Sequence, residues 1–561
     1  MNFYRKSFCF FVFFAVFVAI FFSCASFGAK PESVFQPLNY TEADAVRTEL
    51  ARIEELSAEK PVEALWRAVI LNRSIAERGV SDEKDELEKT VADSLASAFE
   101  RVATKYNEFL EAKKYSEADS VLLSLESCGY EGLNSLSMSK EELAALALPE
   151  STLAKNTENS VAFKVSQAVS GTVTVWVDRG IAIQSGMGYA DRVIGSGFFI
   201  SKDGYLITNH HVIADLVDKK SQKYSKLFIK LASDSETRIP AKVVGYDSLL
   251  DLALLKAEID SPYVFSLGSS VDLDVGDEVA AIGSPVGLER TLTSGHISVK
   301  DRKLTSVGNV FQIDTAVNPG NSGGPLIDKA GNVQAVVFAG MLQYEGLNFA
   351  IPVEYLKAEL PILFAGGERK HSWIGAFGKP KKEMGKNIGL ELLYVMPGGS
   401  ASRAGLREGD VITAVNGTAV TNNDELFDIY VKLRPGTIVI VQTQKSDGST
   451  AEYPVYLDER PKAPGYEVYS RDIVANSFYP ILGMKLSTLS GNKKYTISEL
   501  VNGGIADESG FTEQDPVEIK QVVFNDEKTM MGATLYTKKK KGGYIDVAIG
   551  LTASLDNQYY F

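Results

Sequence analysis

From about Ser160 to Phe364 the chain is cut into short runs of Val, Ile and Phe by glycine and aspartate turns, and this texture restricts the fold more than any other feature. The runs are Thr172–Val177, Gly197–Ile200, Tyr205–Thr208, Lys226–Leu231, Asp251–Lys256, Glu278–Ile282 and Val333–Phe338. Each is too short for a helix, and most are carried by β-branched or aromatic residues. Many short strands at close spacing predict a sandwich or barrel, and the stretch is long enough for two small barrels.

The flanks read differently. Over residues 36–150, Ala, Glu, Leu and Lys dominate, and apolar residues recur at helical spacing, as at Ala64, Leu65, Ala68 and Leu71. Tyr106–Leu110 followed by Lys114–Ala118 resembles half of a tetratricopeptide-type (TPR-like) hairpin, without a fixed period. An all-α spacer or packing module is expected there, with a partner-binding groove as the alternative. Residues 155–365 hold the β-rich unit, and Ala365–Lys370 reads as a linker. Residues 371–460 form a third unit, in which Gly398–Leu406 starts a short helix and Gly409–Gly417 is a strand ending in an Asn-Gly turn. Residues 470–561 echo that layout loosely. Ile481-Leu482-Gly483-Met484 answers Trp373-Ile374-Gly375-Ala376, and Gly503–Phe511 answers the helix entry.

The first 23 residues are expected to be a signal peptide, because Arg5 and Lys6 precede an apolar stretch from Phe8 to Phe22. Two readings of its end stay open. Phe21-Phe22-Ser23-Cys24 is similar to a relaxed lipobox, which would make Cys24 a lipidation site, anchor the protein to the membrane and leave 24–35 as a linker. Alternatively, Ser23 and Ala25 satisfy a small-x-small cleavage site. Export follows either way. Of three cysteines, Cys9 falls in the removed segment and, with Cys24 acylated, Cys128 is single, so no internal disulfide is expected. A formal net charge of −14 argues against nucleic acid as the main partner.

The chemistry centres on Pro319-Gly320-Asn321-Ser322-Gly323-Gly324-Pro325, a serine in a glycine turn just before an apolar run. Such a turn can hold a nucleophile and aim backbone N–H groups beside its hydroxyl. It also fits the G-x-S-x-G elbow, in which the partners follow the serine. A serine needs an adjacent base that is itself oriented by a third group. There are four histidines. His210 and His211 follow the strand Tyr205–Thr208, His296 reads as a strand residue, and His371 reads as solvated linker. Asp251 directly precedes the apolar run Leu252–Leu255, where a carboxylate is costly unless an imidazole N–H satisfies it. Asp247 is its rival. The resulting order, His then Asp then Ser, is that of chymotrypsin and opposite to that of the elbow hydrolases. No metal or other cofactor is required, and no metal-ligand spacing is present.

Residues 190–360 resemble the HtrA (Deg) family of trypsin-fold serine proteases. The likeness rests on Gly195–Phe198, Thr208–Val212, Asp251–Lys256, Ala281–Leu288, Thr293–Gly295, Asp314–Pro325 and Asn348–Pro352. It implies a double β-barrel of chymotrypsin/trypsin type followed by one or two α+β PDZ domains, which residues 371–460 and 470–561 would supply. The family pattern makes the histidine before valine, His211, the base, with Asp251 and Ser322 completing the triad. It further implies an oxyanion hole from the N–H groups of Gly320 and Ser322, and an S1 pocket floored by Ala316. Neutral Ala316 implies small or medium aliphatic P1 residues. Arg302 matches the spacing of an activation relay. Trp373-Ile374-Gly375-Ala376 is the expected carboxylate-binding loop for peptide C-termini, with Ile481–Met484 the weaker one. The chain's own Tyr559-Tyr560-Phe561 is apolar enough for such a loop, but is expected to be the last strand of its own domain. The resemblance implies a periplasmic, ATP-independent endopeptidase of protein quality control acting on unfolded or mislocalised proteins, in trimers or larger assemblies. The alternatives are a chaperone or scaffold gripping clients through its PDZ and helical modules, and a regulatory protease with one dedicated substrate. The helical segment lies outside the family pattern.

Overall fold

The computed structural model describes residue 40 and residues 42–78, 84–148, 164–217, 225–283, 291–303, 308–318, 320–340, 347–488, 494–540 and 544–561. The expected leader 1–23, the linker 24–35 and Cys24 lie outside the described residues, as does Pro319.

The helices Ala43–Leu56, Pro61–Arg78, Lys84–Glu111 and Tyr115–Ser127 each pack against the next in sequence. Their apolar stripes meet in one core that includes Val46, Leu65, Leu71, Val102, Tyr106 and Leu125. With lengths of 14, 18, 28 and 13 residues they do not form a repeat of fixed period. Cys128 caps the last of them, and burial pushes its thiol up to about 12, as befits an inert residue.

The β-rich unit is two barrels. In the first, Thr172–Gln184 pairs with Met187–Phe199 and with Lys226–Lys230, and Tyr205–Thr208 links Met187–Phe199 to Leu252–Ala257. The ring closes because Ile239–Asp247 pairs with both Lys226–Lys230 and Leu252–Ala257. The second closed barrel is made by Glu278–Gly283, Thr291–Arg302, Val310–Ile313, Asn348–Pro352, Val333–Gly340 and Pro325–Ile327. The unbroken apolar run Leu252–Leu255 is buried on both faces: Ala253 and Leu255 fill the first barrel, while Leu252 and Leu254 join the core that includes Leu356, Leu360 and Leu363 of the helix Val353–Ala365.

The third unit is a six-stranded sheet, in order Ala376–Glu383, Lys386–Val395, Val411–Val415, Ile438–Gln444 and Thr450–Tyr456, with Thr418–Ala419 pairing off this path with Val411–Val415. Its helix Asn423–Tyr430 is capped by the Asn422 side chain, which accepts from the N–H groups of Asp424 and Glu425. The fourth unit repeats the sheet with Met484–Thr488, Lys494–Leu500, Pro516–Phe524, Met530–Lys540 and Tyr544–Ser554. The loop echo seen in sequence is structural. Met396 N–H donates to Gly375 O at 2.8 Å, and Val501 N–H to Gly483 O at 2.9 Å, with both glycines at positive φ. The fourth unit, however, passes from Pro516–Phe524 straight into Met530–Lys540, so among the described residues it has no counterpart of helix Asn423–Tyr430.

The helical unit covers one edge of the third unit's sheet. Trp66 Nε1 donates to Pro454 O at 2.8 Å and stacks on Tyr456, while Ile438 N–H donates to Ser124 Oγ at 3.0 Å. An open edge strand invites unwanted pairing, and these helices close it.

The linker expectation for Ala365–Lys370 is corrected. Gly367–Glu368 pairs in parallel with Ile239–Asp247, and Arg369 is buried against Glu359 while donating to Val431 O and Leu433 O. His371, expected to be solvated, is buried with Nε2 2.8 Å from Asp247 Oδ2. Buried carboxylates at 247 and 359 need cationic or N–H partners, and this segment supplies them. Asp247, Glu359 and His371 lie close enough together to suggest a metal cluster, but Arg369 Nε already faces both oxygens of Glu359. Burial drives Glu359 up to about 7 against the pull of Arg369.

Candidate active site

His211, Asp251 and Ser322 each sit where one element hands over to the next. His210 and His211 open the helix His210–Val217 directly after Tyr205–Thr208. Asp251 occupies the turn before Leu252–Ala257 and adopts φ +57°, which a residue with a side chain takes only when its surroundings hold it there. The surroundings are explicit. Asp251 Oδ2 lies 2.7 Å from His211 Nδ1, and Oδ1 accepts the His211 N–H at 2.8 Å. The Asp251 carbonyl accepts Asn209 Nδ2 at 2.8 Å and the His210 N–H at 3.2 Å. A carboxylate held on both oxygens fixes the imidazole's orientation, with Nδ1 facing Asp251 and Nε2 directed away from it. Asp247, the rival carboxylate, is turned to His371 and takes no part in this group.

Of the two adjacent histidines, only His211 meets Asp251 through its ring. His210 stacks on Tyr246 with ring centroids 5.3 Å apart, and burial holds its imidazole below the ordinary range. His296 lies on the strand Thr291–Arg302, its Nδ1 3.4 Å from Asp314 Oδ2.

Ser322 lies in the turn that enters Pro325–Ile327. Its Oγ donates to Phe338 O at 3.3 Å, a long contact for a hydroxyl, and among the described residues no hydrogen bond joins it to His211. The hydroxyl is therefore weakly parked. Gly320, at φ +106°, and Gly323, at φ +84°, use conformations open to glycine. A Cβ on Gly323 would stand 2.2 Å from Ser196 O and 2.4 Å from Thr208 Oγ1. The N–H groups of Gly320 and Ser322 form no hydrogen bond to another described group, so both remain available to an oxyanion.

Ser196, which lies in the Gly195–Phe198 motif but has no role assigned from sequence, is a further side chain at this turn. It is fully buried, its Oγ donates to Gly320 O at 2.6 Å, and its N–H donates to Ser322 O at 2.7 Å. Thr208 Oγ1 in turn donates to Ser196 O at 2.7 Å. One residue of the first barrel thus grips the nucleophile turn at two carbonyls. Its only trace in the sequence is a small polar residue between Gly195 and Gly197, where chain must approach chain.

Ala316 is exposed, and its carbonyl accepts Thr293 Oγ1 at 3.0 Å. Arg302, the expected relay, stands at the end of its strand with Nε on Gln312 Oε1 at 2.7 Å, and among the described residues no hydrogen bond ties it to the Gly320 turn. Trp373, Ile374 and Ala376 are buried, with Gly375 at φ +79° between them. The expectation for Tyr559–Phe561 is corrected. Their own sheet ends at Ser554, and they pair instead with Ala376–Gly378 of the preceding unit, whose edge strand has an open side.

Comparisons with known proteins agree with this anatomy. Residues 195–336 match the trypsin-like peptidase domain, 392–439 the PDZ domain and 465–555 the TP0546 family PDZ domain, while 44–147 match a domain of unknown function. "Probable periplasmic serine endoprotease DegP-like" of Pseudomonas fulva is 35% identical over 49% of this chain and 57% of its own length. The protein of the same name from Chlamydia trachomatis is 35% identical over 49% and 56%, and that from Chlamydia muridarum 32% identical over 57% and 65%. The chain spans between about half and two thirds of the length of these curated relatives. Among solved structures, "HtrA-type protease AlgW with decapeptide" aligns with 53% of this chain and 98% of its own at 26% identity and a TM-score of 0.45.

Proposed function

We propose that this chain, an HtrA-family protease with a trypsin-like double barrel and C-terminal PDZ domains, is an exported serine endopeptidase that degrades unfolded or mislocalised proteins. The observation that carries the reading is the pair His211–Asp251, with both carboxylate oxygens fixed and the base left free beside a glycine-rich serine turn. Ser322 Oγ rotates off Phe338 O and attacks the peptide carbonyl as its proton passes to His211 Nε2. The N–H groups of Gly320 and Ser322 receive the developing oxyanion, where losing one donor typically costs ~10²–10³ in rate. His211 then gives the proton to the leaving amine as the C–N bond breaks, Asp251 stabilises the imidazolium throughout, and water releases the acyl group by the same route in reverse.

Ala316 makes the S1 floor neutral, which suits small or medium aliphatic P1 residues. The first PDZ domain takes peptide C-termini at Trp373–Ala376. Among the described residues the fourth unit has no helix between Pro516–Phe524 and Met530–Lys540 to form a groove's second wall, which supports a packing role for it. Cys24, if lipidated, anchors the protein to the envelope membrane, and a trimeric or larger homo-oligomer is the assembly suggested by the family. Casein degradation by the wild type and by Ser322→Ala tests the core of the reading. Wild-type cleavage with complete loss in the variant is expected, and equal degradation by the two would refute it.

A further inference from the structure

The peptide groove of the first PDZ domain is already filled by this chain's own residues. The edge strand Ala376–Glu383 pairs on one side with Lys386–Val395, and on the other it takes Tyr559–Phe561 as an antiparallel strand. Ala376 N–H donates to Phe561 O at 2.9 Å, Phe561 N–H donates back to Ala376 O at 3.0 Å, and Gly378 N–H donates to Tyr559 O at 3.1 Å. From the facing helix, Asn423 Nδ2 reaches Gln558 O at 3.3 Å.

The side chains follow the strand alternation. Phe561 is buried in the domain's own core cluster, with Ile374, Ala376, Leu426 and Tyr430. Gly378 leaves room for the ring, since a Cβ there would lie 2.9 Å from Phe561 Cζ. Tyr560 points the other way, into a cluster with Trp373, Phe377 and Tyr479, and its hydroxyl donates to Pro480 O at 3.1 Å. The segment is also held short. Leu555 is buried in the fourth unit, and Asp556 is paired with Arg460 at 2.6 Å, so only a few residues separate the anchor from the groove.

We propose that Asn557–Phe561 is a built-in competitor for this groove, presented by the fourth unit, and that a client segment enters only by displacing it. The same contacts define the occupant that competes best, an extended segment with a bulky aromatic side chain where Phe561 now lies. The proposal rests on reading the groove as a peptide site. A short tether supplies an effective concentration of roughly millimolar, and a site that is open only part of the time binds an added ligand more weakly by that open fraction. A groove that is closed nine times in ten loses about tenfold.

The test uses the full chain carrying Ser322→Ala, so that hydrolysis does not enter, and a fluorescein-labelled hexapeptide Asp-Asn-Gln-Tyr-Tyr-Phe copied from residues 556–561. By anisotropy, the further variant Phe561→Asp is expected to bind this probe at least about tenfold more tightly than the chain with Phe561. Equal affinity overturns the competition while leaving the peptide site standing, and no binding by either chain overturns both. Hydrogen exchange on the chain with Phe561 gives a measurement independent of the substitution. The Phe561 amide is expected to be protected and to lose protection when excess probe is added; exchange at the rate of a free peptide without probe refutes the proposal. None of these outcomes bears on casein cleavage, which tests the peptidase reading separately.

Discussion

Replacing Ser196 with alanine should impair catalysis while the protease domain stays folded. Ser196 is fully buried, and its hydroxyl donates at 2.6 Å to the carbonyl of Gly320, the residue whose N–H is one of the two proposed oxyanion donors. Removing the donor leaves that buried carbonyl unsatisfied, at a cost of about 1–3 kcal/mol. The barrel strands do not depend on this bond, so the cost falls on the serine turn, which can relieve it by turning the Gly320–Asn321 peptide and with it the adjoining residues that carry the proposed oxyanion N–H groups. A shift of about 1–3 kcal/mol changes that local equilibrium constant roughly 5- to 150-fold, and the competent fraction falls by up to that factor. The loss should appear in kcat rather than KM, because the peptide groove and Ala316 are untouched. Steady-state hydrolysis of a fluorogenic peptide at 25 °C, with circular dichroism confirming the fold, reads it directly. Ser196→Cys provides the control, with a similar shape and only a weak S–H donor, and should resemble alanine more than serine. Wild-type kcat in both variants, or a loss confined to KM, would refute the reasoning.

Other consequences are open to measurement. Arg369→Met removes the partner of buried Glu359 and two donors to the PDZ carbonyls Val431 O and Leu433 O, and should destabilise by about 3–5 kcal/mol; adding Glu359→Leu should recover much of the loss in a thermal melt. His210 is held below its ordinary range by burial, so the unfolded chain takes up that proton first and the contribution to stability is lost as pH falls from about 6.5 through the folded value. His210→Phe should flatten that part of the melting temperature–pH curve, and an unchanged slope would dismiss the idea. In a peptide library, cleavage should favour Val, Ala or Ile at P1, and preference for Lys or Arg would rule out the assignment of Ala316.

Much of the candidate site was legible in the chain because its signals are local. Gly320 and Gly323 are glycines because the turn needs positive φ, and that requirement is written within five residues of Ser322. Asp251 could be picked out because a carboxylate abutting Leu252–Leu255 must be satisfied from nearby, and the scarcity of histidines left few ways to do so. Ser196 could not be picked out. A buried serine between two glycines looks like a strand residue until Gly320 is folded against it.

Short-range chemistry is therefore what the chain displays before folding: the helical and β textures, the serine turn, the order of His211, Asp251 and Ser322, and the echo between the two PDZ-like units. Tertiary structure decided which polar groups share a buried space. Arg369 and His371 looked like linker because Glu359 and Asp247, which hold them, are brought alongside only by folding. Tyr559–Phe561 looked like a terminal strand, and it is one, but of another domain's sheet. A strand's pattern records that it will pair and which face it buries, while backbone hydrogen bonds are alike for every sequence, so the choice of edge waits for the fold.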